Sequence, residues 1–426
     1  MRWKLWSSSR GTRKNLEIEG ISLFERVLKA APAVVVAVIL TFILSRSGFF
    51  RQLETYALDT QVRLQSAQQE SDVAIVRIDD DDYETLFHAK SPLDPAALTK
   101  IINAIALGKP RVLGIDIDTS TQDFRDFHLQ PGWPPIIWAR NGSFSNREGK
   151  FHAQRVLGGQ DPPPASGLVV LKLDADSAVR RYARLCATEH GQVPAFPFAV
   201  AQSYQGQAAK RNAGEDELFI NFAGDREGSH RQHFTAAQVL SLSDGLGWQT
   251  DSPIKDKIVL LGGAYTSSDE HETPLGWMLG VEILAYTIET ELHGGGMRPA
   301  SGITITVLGG IIGLVLLLLF QHFTPTKALL LSFPVILLLG MVCSLLTFRT
   351  IAFWAYFTPI PLAVLVQEGY VQARDYRKRL VKQLYEGVLG RPAPEPGGVE
   401  VKPAAVVKSS SQEQAETASK AISDIG

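Results

Sequence analysis

Apolar residues along this chain gather into long uninterrupted runs near its two ends, while the stretch between them alternates over much shorter distances. The long runs lie at residues 30–50, 301–320, 328–348 and 351–367. A helix that crosses about 30 Å of hydrocarbon needs roughly 20 apolar residues, so each run is expected to span a membrane. The first, "AAPAVVVAVILTFILS", also fits the apolar core of a secretory signal. The long leader before it and the lack of an A-x-A site after it favour an uncleaved anchor. Only "QHFTPTK" separates the second run from the third, and only Arg349 and Thr350 separate the third from the fourth. Three adjacent hairpin helices are therefore expected. Pro334, Pro359 and Pro361 are tolerable there because neighbouring helices can satisfy the carbonyls they free. In the second run Gly309 and Gly313 make a small-x-x-x-small face, which suits either a homo-oligomer or packing within one chain.

Residues 51–300 read differently. Short β-branched runs recur: "VAIVRI" (73–78), "RVLGIDI" (111–117), "PIIW" (135–138), "LVVLKL" (168–173), "LFINF" (218–222) and "KIVLLGG" (257–263). Their near-continuous apolarity predicts strands covered on both faces. Between the first two, Leu98, Ile101, Ile102 and Ile105 fall at helical spacing before a terminating glycine, as in a βαβ unit. "FPFAVAQSY" and "FTAAQVLSL" predict further helices, and "DADSAVRRYARL" a hairpin bearing a basic stretch. In "GVEILAYTIETELHGGG", Val281, Leu284, Ile288 and Leu292 form one stripe that should pack on the domain. The reading is an α/β domain with a mixed or mainly parallel sheet, flanked by one N-terminal and three C-terminal transmembrane helices.

Charge orients this arrangement. Basic residues crowd the segment before the first run (residues 1–29) and the segment after the last (368–390), where Arg374, Arg377, Lys378, Arg379 and Lys382 cluster with only Asp375 among them. The positive-inside rule then puts both termini in the cytoplasm and residues 51–300 outside; Arg46 and Arg51 oppose the bias and are outnumbered. The five basic residues are expected to meet anionic membrane lipid or a cytoplasmic protein partner. Residues 391–426, rich in Pro, Ala, Ser and charge, cannot bury a core and are expected to be disordered. A net charge of −2 gives no concentrated positive field, so no nucleic-acid partner is expected. Two cysteines, Cys186 and Cys343, supply neither a disulfide framework nor a Cys-based zinc site.

Candidate chemistry is acidic. "IDDDDYE" places Asp79 and Asp80, with Asp81 and Asp82, just past one expected strand. "GIDIDTSTQD" places Asp116 and Asp118 on one face at the end of the next, because alternate strand residues share a side. In open α/β sheets ligands lie beyond the carboxyl ends of the strands. There the carboxylates would hold a hard cation through oxygen or accept hydrogen bonds from a cationic ligand. Alternatively they cap the following helices and solvate a loop. "LLGGAYTSSDEHETPLG" adds Thr266, Ser267 and Ser268, whose backbone could face an anion, and Asp269, Glu270 and His271. It lacks the spacing of a nucleotide-binding loop. No G-x-S-x-G, H-E-x-x-H or Cys/His pairing is present, so neither enzyme activity nor a cofactor is expected.

Four pieces, "LETYALDTQVRLQ", "VAIVRIDDDDYETL", "VLGIDID" and "KIVLLGGAYTSSDEHETPLGWMLGVEILAYTIETEL", occur in this order inside the one-plus-three pattern of apolar runs. Together, over about Arg26 to Gln367, they resemble the type-2 CHASE domain of bacterial signalling proteins. The resemblance implies an extracytoplasmic sensor in the bacterial inner membrane, usually followed by a catalytic output domain. No kinase or cyclase motif fits after Gly390, so any message is expected to leave through a separate cytoplasmic partner. "HAKSPLDPAAL", Leu284 and the short stretch from Phe124 to Pro164 depart from the family pattern. If those positions touch the ligand, the ligand differs or is absent. Two functions stay open: a sensor subunit that binds an extracytoplasmic ligand and signals inward, or a structural protein that anchors an envelope complex.

Overall fold

The computed structural model describes residues 39, 43, 51–63, 70–161, 163–206, 217–222, 231–265, 269–299, 303, 307, 353–354, 376, 377, 379–381, 383, 384 and 387. The four expected spans lie almost wholly outside the described residues, as do residues 1–29 and 391–426. Among the described residues no helix is long and apolar enough to cross a membrane. The chain divides into two units, residues 1–367 and 368–426.

In chain order the first unit holds α1 (Arg51–Arg63), β1 (Val73–Ile78), α2 (Asp80–Phe87), α3 (Pro95–Leu107), β2 (Val112–Asp116), β3 (Ile136–Arg140), β4 (Gly142–Ser145), β5 (Lys150–Ala153), β6 (Ser166–Leu168), β7 (Lys172–Leu173), β8 (Val179–Tyr182), β9 (Leu185–Thr188) and β10 (Gly191–Pro194). Then follow α4 (Phe196–Tyr204), β11 (Leu218–Phe219), β12 (Gln232–Thr235), α5 (Ala236–Ser243), α6 (Leu246–Thr250), β13 (Ile258–Gly263), β14 (Glu270–Thr273), β15 (Gly276–Leu279), α7 (Gly280–Leu292), β16 (Arg298–Pro299) and β17 (Phe353–Trp354).

Six strands form the central sheet in the order β12-β1-β13-β2-β3-β6, and every neighbouring pair is parallel. Its strands read as continuous apolar runs because both faces are covered. Ala74, Val76, Ile78, Leu113, Ile115, Val259 and Leu261 face Leu98, Ile101, Ile105 and Val239 of α3 and α5. Val73, Ile75, Val112, Ile258 and Leu260 face Phe196 and Val200 of α4 and Val281, Leu284 and Ile288 of α7. The predicted stripe on α7 thus packs as expected.

Local chemistry sets where the helices begin. Asp94 caps α3 by accepting from the Ala96 and Ala97 N–H groups, and Pro95 pre-sets the first turn. Thr235 and Gln238 close a reciprocal capping box on α5. Gly167 sits where β6 meets the start of α4; a Cβ there would lie 2.5 Å from the Phe196 Cα, so only glycine allows the approach.

Two expected strands differ. "LVVLKL" splits: β6 ends in the central sheet, and β7 begins a separate antiparallel sheet of order β11-β8-β7. Of "LFINF" only Leu218–Phe219 is strand, paired antiparallel with β8 rather than added to the central sheet. The edge place belongs instead to β12, whose "QHFT" is partly exposed throughout and lacks the apolar signal of a buried strand. The predicted basic hairpin is β7–β8.

The antiparallel sheet supports a further core. Leu58 and Val62 of α1 pack with Val179, Tyr182, Phe219, Phe222, Met278, Ile283, Tyr286 and Met297. A four-stranded sheet, β10-β9-β5-β4, completes the domain. Beyond α7, β16 pairs in parallel with β17, at Arg298↔Phe353 and Pro299↔Trp354. In the second unit Tyr376, Arg377, Arg379, Leu380, Val381, Gln383, Leu384 and Gly387 are helical and exposed. Arg374, Lys378 and Lys382 lie outside the described residues.

Candidate functional site

The carboxyl edge of the central sheet gathers most of the acidic residues singled out by sequence. Thr235, Arg77, Gly262 and Asp116 lie in one row across β12, β1, β13 and β2. Side chains in one row share a face, and alternation along β1 and β2 assigns this row to the face covered by α4 and α7. Arg77 and Asp116 therefore flank Gly262, against which Val281 of α7 packs. The Arg77 Nε is buried and has no hydrogen-bond partner among the described residues.

Asp269 closes the row from the side. Its carbonyl accepts from the Gly280 N–H at 2.9 Å, which ties it to the first turn of α7. A Cβ on Gly280 would meet the Asp269 carboxyl, so a larger residue there would push that carboxyl aside. Asp269 Oδ1 lies 3.1 Å from His271 Nε2. Burial, and then the charge of Asp269, push the Asp116 carboxyl up to about 7. Tyr83 of α2 and Tyr265 just past β13 stack with centroids 4.3 Å apart. The Tyr265 hydroxyl is raised by burial and by Tyr83, Asp118 and Asp116. Burial likewise raises Glu282 on α7, against the opposing pull of Arg231 and Arg77.

The sequence-predicted residues divide accordingly. Asp116 and Asp269 come together. Asp118 is exposed and accepts from the Ser120 N–H at 2.9 Å in a local turn. Asp79 is the N-cap of α2, accepting from the Asp82 N–H at 2.9 Å, and Asp80 opens that helix. Asp82 is buried and crosses to α5, where its two oxygens accept from the Ala236 and Ala237 N–H groups at 2.8 and 3.0 Å. Asp79 thus caps the helix that follows it, whereas Asp82 braces the first turn of the distant α5. Thr266 lies outside the described residues. Glu270 is exposed while Asp269 and His271 face one another. Among the described residues these edge acids and His271 do not bring three donor atoms within 4.8 Å of one another. What the described part of the edge offers is the Asp116 and Asp269 carboxylates and the Arg77 guanidinium. Sequence reasoning missed Arg77, Tyr83 and Tyr265; a cation ending an otherwise apolar strand was the available signal.

At its other end α7 enters a buried ionic network. Arg180 of β8 is held by Asp59 of α1 through Nε and Nη2, at 2.8 and 2.9 Å, and by Asp176 at 2.7 and 2.8 Å. Burial opposes the Arg180 charge, but Asp59 and Asp176 outweigh it and hold the proton more firmly than usual. Two residues along, the Tyr182 hydroxyl donates to Glu291 of α7, and the Arg184 Nε meets the same carboxylate at 2.8 Å. One strand thus binds both α1 and α7. A second buried pair, Arg231–Glu289, joins Ser71 to α7, with the guanidinium 3.6 Å from the Tyr286 ring centroid.

No curated protein and no solved structure matches the chain. The family model described as CHASE2 domain matches residues 33–320. Six parallel strands within that range carry the acidic edge and its flanking helices. With most of its length matched, the chain belongs to the CHASE2 domain family, a family of extracellular sensor domains.

Proposed function

We propose that the chain is a membrane-anchored sensor subunit whose α/β domain lies outside the bacterial inner membrane, binds a small ligand at the carboxyl edge, and signals to a separate cytoplasmic partner. The observation that carries this reading is the attachment of α1 and α7 to one strand. These helices adjoin the first and second apolar runs, and Arg180, Tyr182 and Arg184 hold both through buried carboxylates. The 13 residues of α7 span about 20 Å. Its first turn touches Asp269 beside Asp116, and its last turn carries Glu291.

A ligand seated on the Asp116–Asp269 pair would bear a cationic or hydroxyl donor group, with the Arg77 guanidinium available for an acceptor on the same molecule. By favouring one position of the α7 first turn it would shift the population of the far end. Moving such an element from mostly off to mostly on takes a differential affinity on the order of 5 kcal/mol.

Three observations support the membrane arrangement. The family match begins inside the first apolar run and ends with the second. Ile39 and Ile43, and Ile303 and Val307, are helical apolar positions four apart, each more than half exposed within the chain and free to meet lipid. The β16–β17 pairing makes Phe353 and Trp354 strand, where the fourth span was expected to be helix from residue 351, and sets them beside the domain's exit, which supports an arrangement with the third-to-fourth connection on the domain's side.

Crosslinking tests the reading. A cysteine at Gln383 in the exposed cytoplasmic helix, in membranes with and without periplasmic extract, should crosslink between copies to different extents, and Arg180→Ala should abolish the difference. Identical crosslinking under all conditions would favour a non-switching envelope anchor.

A further inference from the structure

The four-stranded mixed sheet, in which two antiparallel hairpins meet through the parallel β5–β9 pairing, carries a feature that the sensor reading does not use. The β4–β5 turn is tightened by Gly149 N–H donating to Ser145 O at 2.8 Å, with Gly149 at φ +64°, and it presents Glu148. His152 lies on β5, where exposed and half-buried residues alternate; it stands on the exposed side, while Phe151 and Ala153 pack over Leu168, Cys186 and Ala195. The Phe151↔Thr188 pairing sets β9 beside β5. Glu189, the first residue past β9, then reaches His152. Two separate hairpins thus each deliver one carboxylate to a single imidazole.

Glu148 lies 3.8 Å from His152 Nε2, and Glu189 contacts Nδ1. One donor atom from each of the three residues lies within 4.8 Å of the others. A neutral imidazole has a single N–H, so it satisfies one carboxylate and turns a lone pair toward the other. Two carboxylates facing both nitrogens carry net charge −2 until a cation joins them. A proton cancels half of that; a divalent ion cancels all of it.

We propose that Glu148, His152 and Glu189 form a surface site for a divalent transition-metal ion, with one imidazole and two carboxylate donors and water completing the shell. Imidazole with carboxylate suits zinc and its neighbours rather than calcium or magnesium, which take oxygen alone. Donor atoms around a tetrahedral zinc stand roughly 3.3 Å apart, so rotation of three half-exposed side chains is enough to close on the ion. The site joins the β4–β5 and β9–β10 hairpins and is distinct from the acidic edge.

The test is calorimetric titration of zinc chloride into the chelator-stripped full-length chain in detergent. One saturable zinc per chain is expected. His152→Ala should abolish it, and Glu189→Gln, which keeps size and leaves the fold intact, should weaken it roughly tenfold or more. Cys186 should not compete, because it is buried and its thiol is pushed up to about 11. X-ray absorption of the bound zinc should show one nitrogen shell with oxygen and no sulfur. An absence of saturable binding, or binding that His152→Ala leaves unchanged, would overturn the proposal and leave the trio as a surface contact only.

Discussion

Asp59 and Arg180 meet as a two-point ion pair, with Oδ1 2.8 Å from Nε and Oδ2 2.9 Å from Nη2, across 121 residues of chain. Their side chains are only 14% and 5% exposed, so the pair is desolvated rather than a surface contact. Arg180→Ala would leave the desolvated Asp59 without its cation, while Asp174 keeps Arg181; removing one partner of a buried pair is worth about 3–5 kcal/mol. Asp59→Asn should cost less, because Asp176 and Asp174 still hold the guanidinium. Thermal unfolding of the two variants in detergent checks this ranking. Arg180→Lys should restore little, since an ammonium cannot reproduce the fork geometry.

Asp116 should make stability depend on pH near neutrality. Unfolded, its carboxyl titrates near the ordinary value of about 3.9; folded, it titrates at about 7. Between those values the native state holds a proton that the unfolded chain has released. This contribution is therefore full below about pH 4, declines as pH rises, and is gone above about pH 7. Asp116→Asn removes it. The wild-type melting temperature should fall relative to that of the variant between pH 4 and 7, and the two curves should run parallel above.

Asp82 supplies the acceptors for two N–H groups at the start of α5. Asp82→Ala should destabilise the domain by about 1–2 kcal/mol, the size of a lost helix cap. The loss should appear first as faster hydrogen exchange in α5, which the α2–α5 bond anchors.

Much of the fold was legible because burial leaves a periodic mark. β1, β2 and β13 are covered on both faces and read as apolar runs, and α3 and α7 show their stripes. What escaped was set by contacts distant in sequence. Asp82 finds Ala236 and Arg180 finds Asp59 only after folding, so neither charge could be told from a solvated one. β12 carries no apolar run because it is a partly exposed edge. Of the candidate site, Asp116 was singled out at a strand end and Asp269 in the loop after β13. Arg77 was overlooked because a single charge closing an apolar strand resembles an ordinary boundary residue.

Impermeant-thiol labelling of intact cells addresses the compartmental arrangement most directly. With Cys186 and Cys343 replaced by serine, one cysteine is placed at Leu246, which is 83% exposed on the α/β domain, and in a second protein one is placed at Gln383. Once the outer membrane is permeabilised, the Leu246 position should label while the Gln383 position stays unreactive until the inner membrane is lysed. Labelling at Gln383 from outside, with Leu246 protected, would contradict the account.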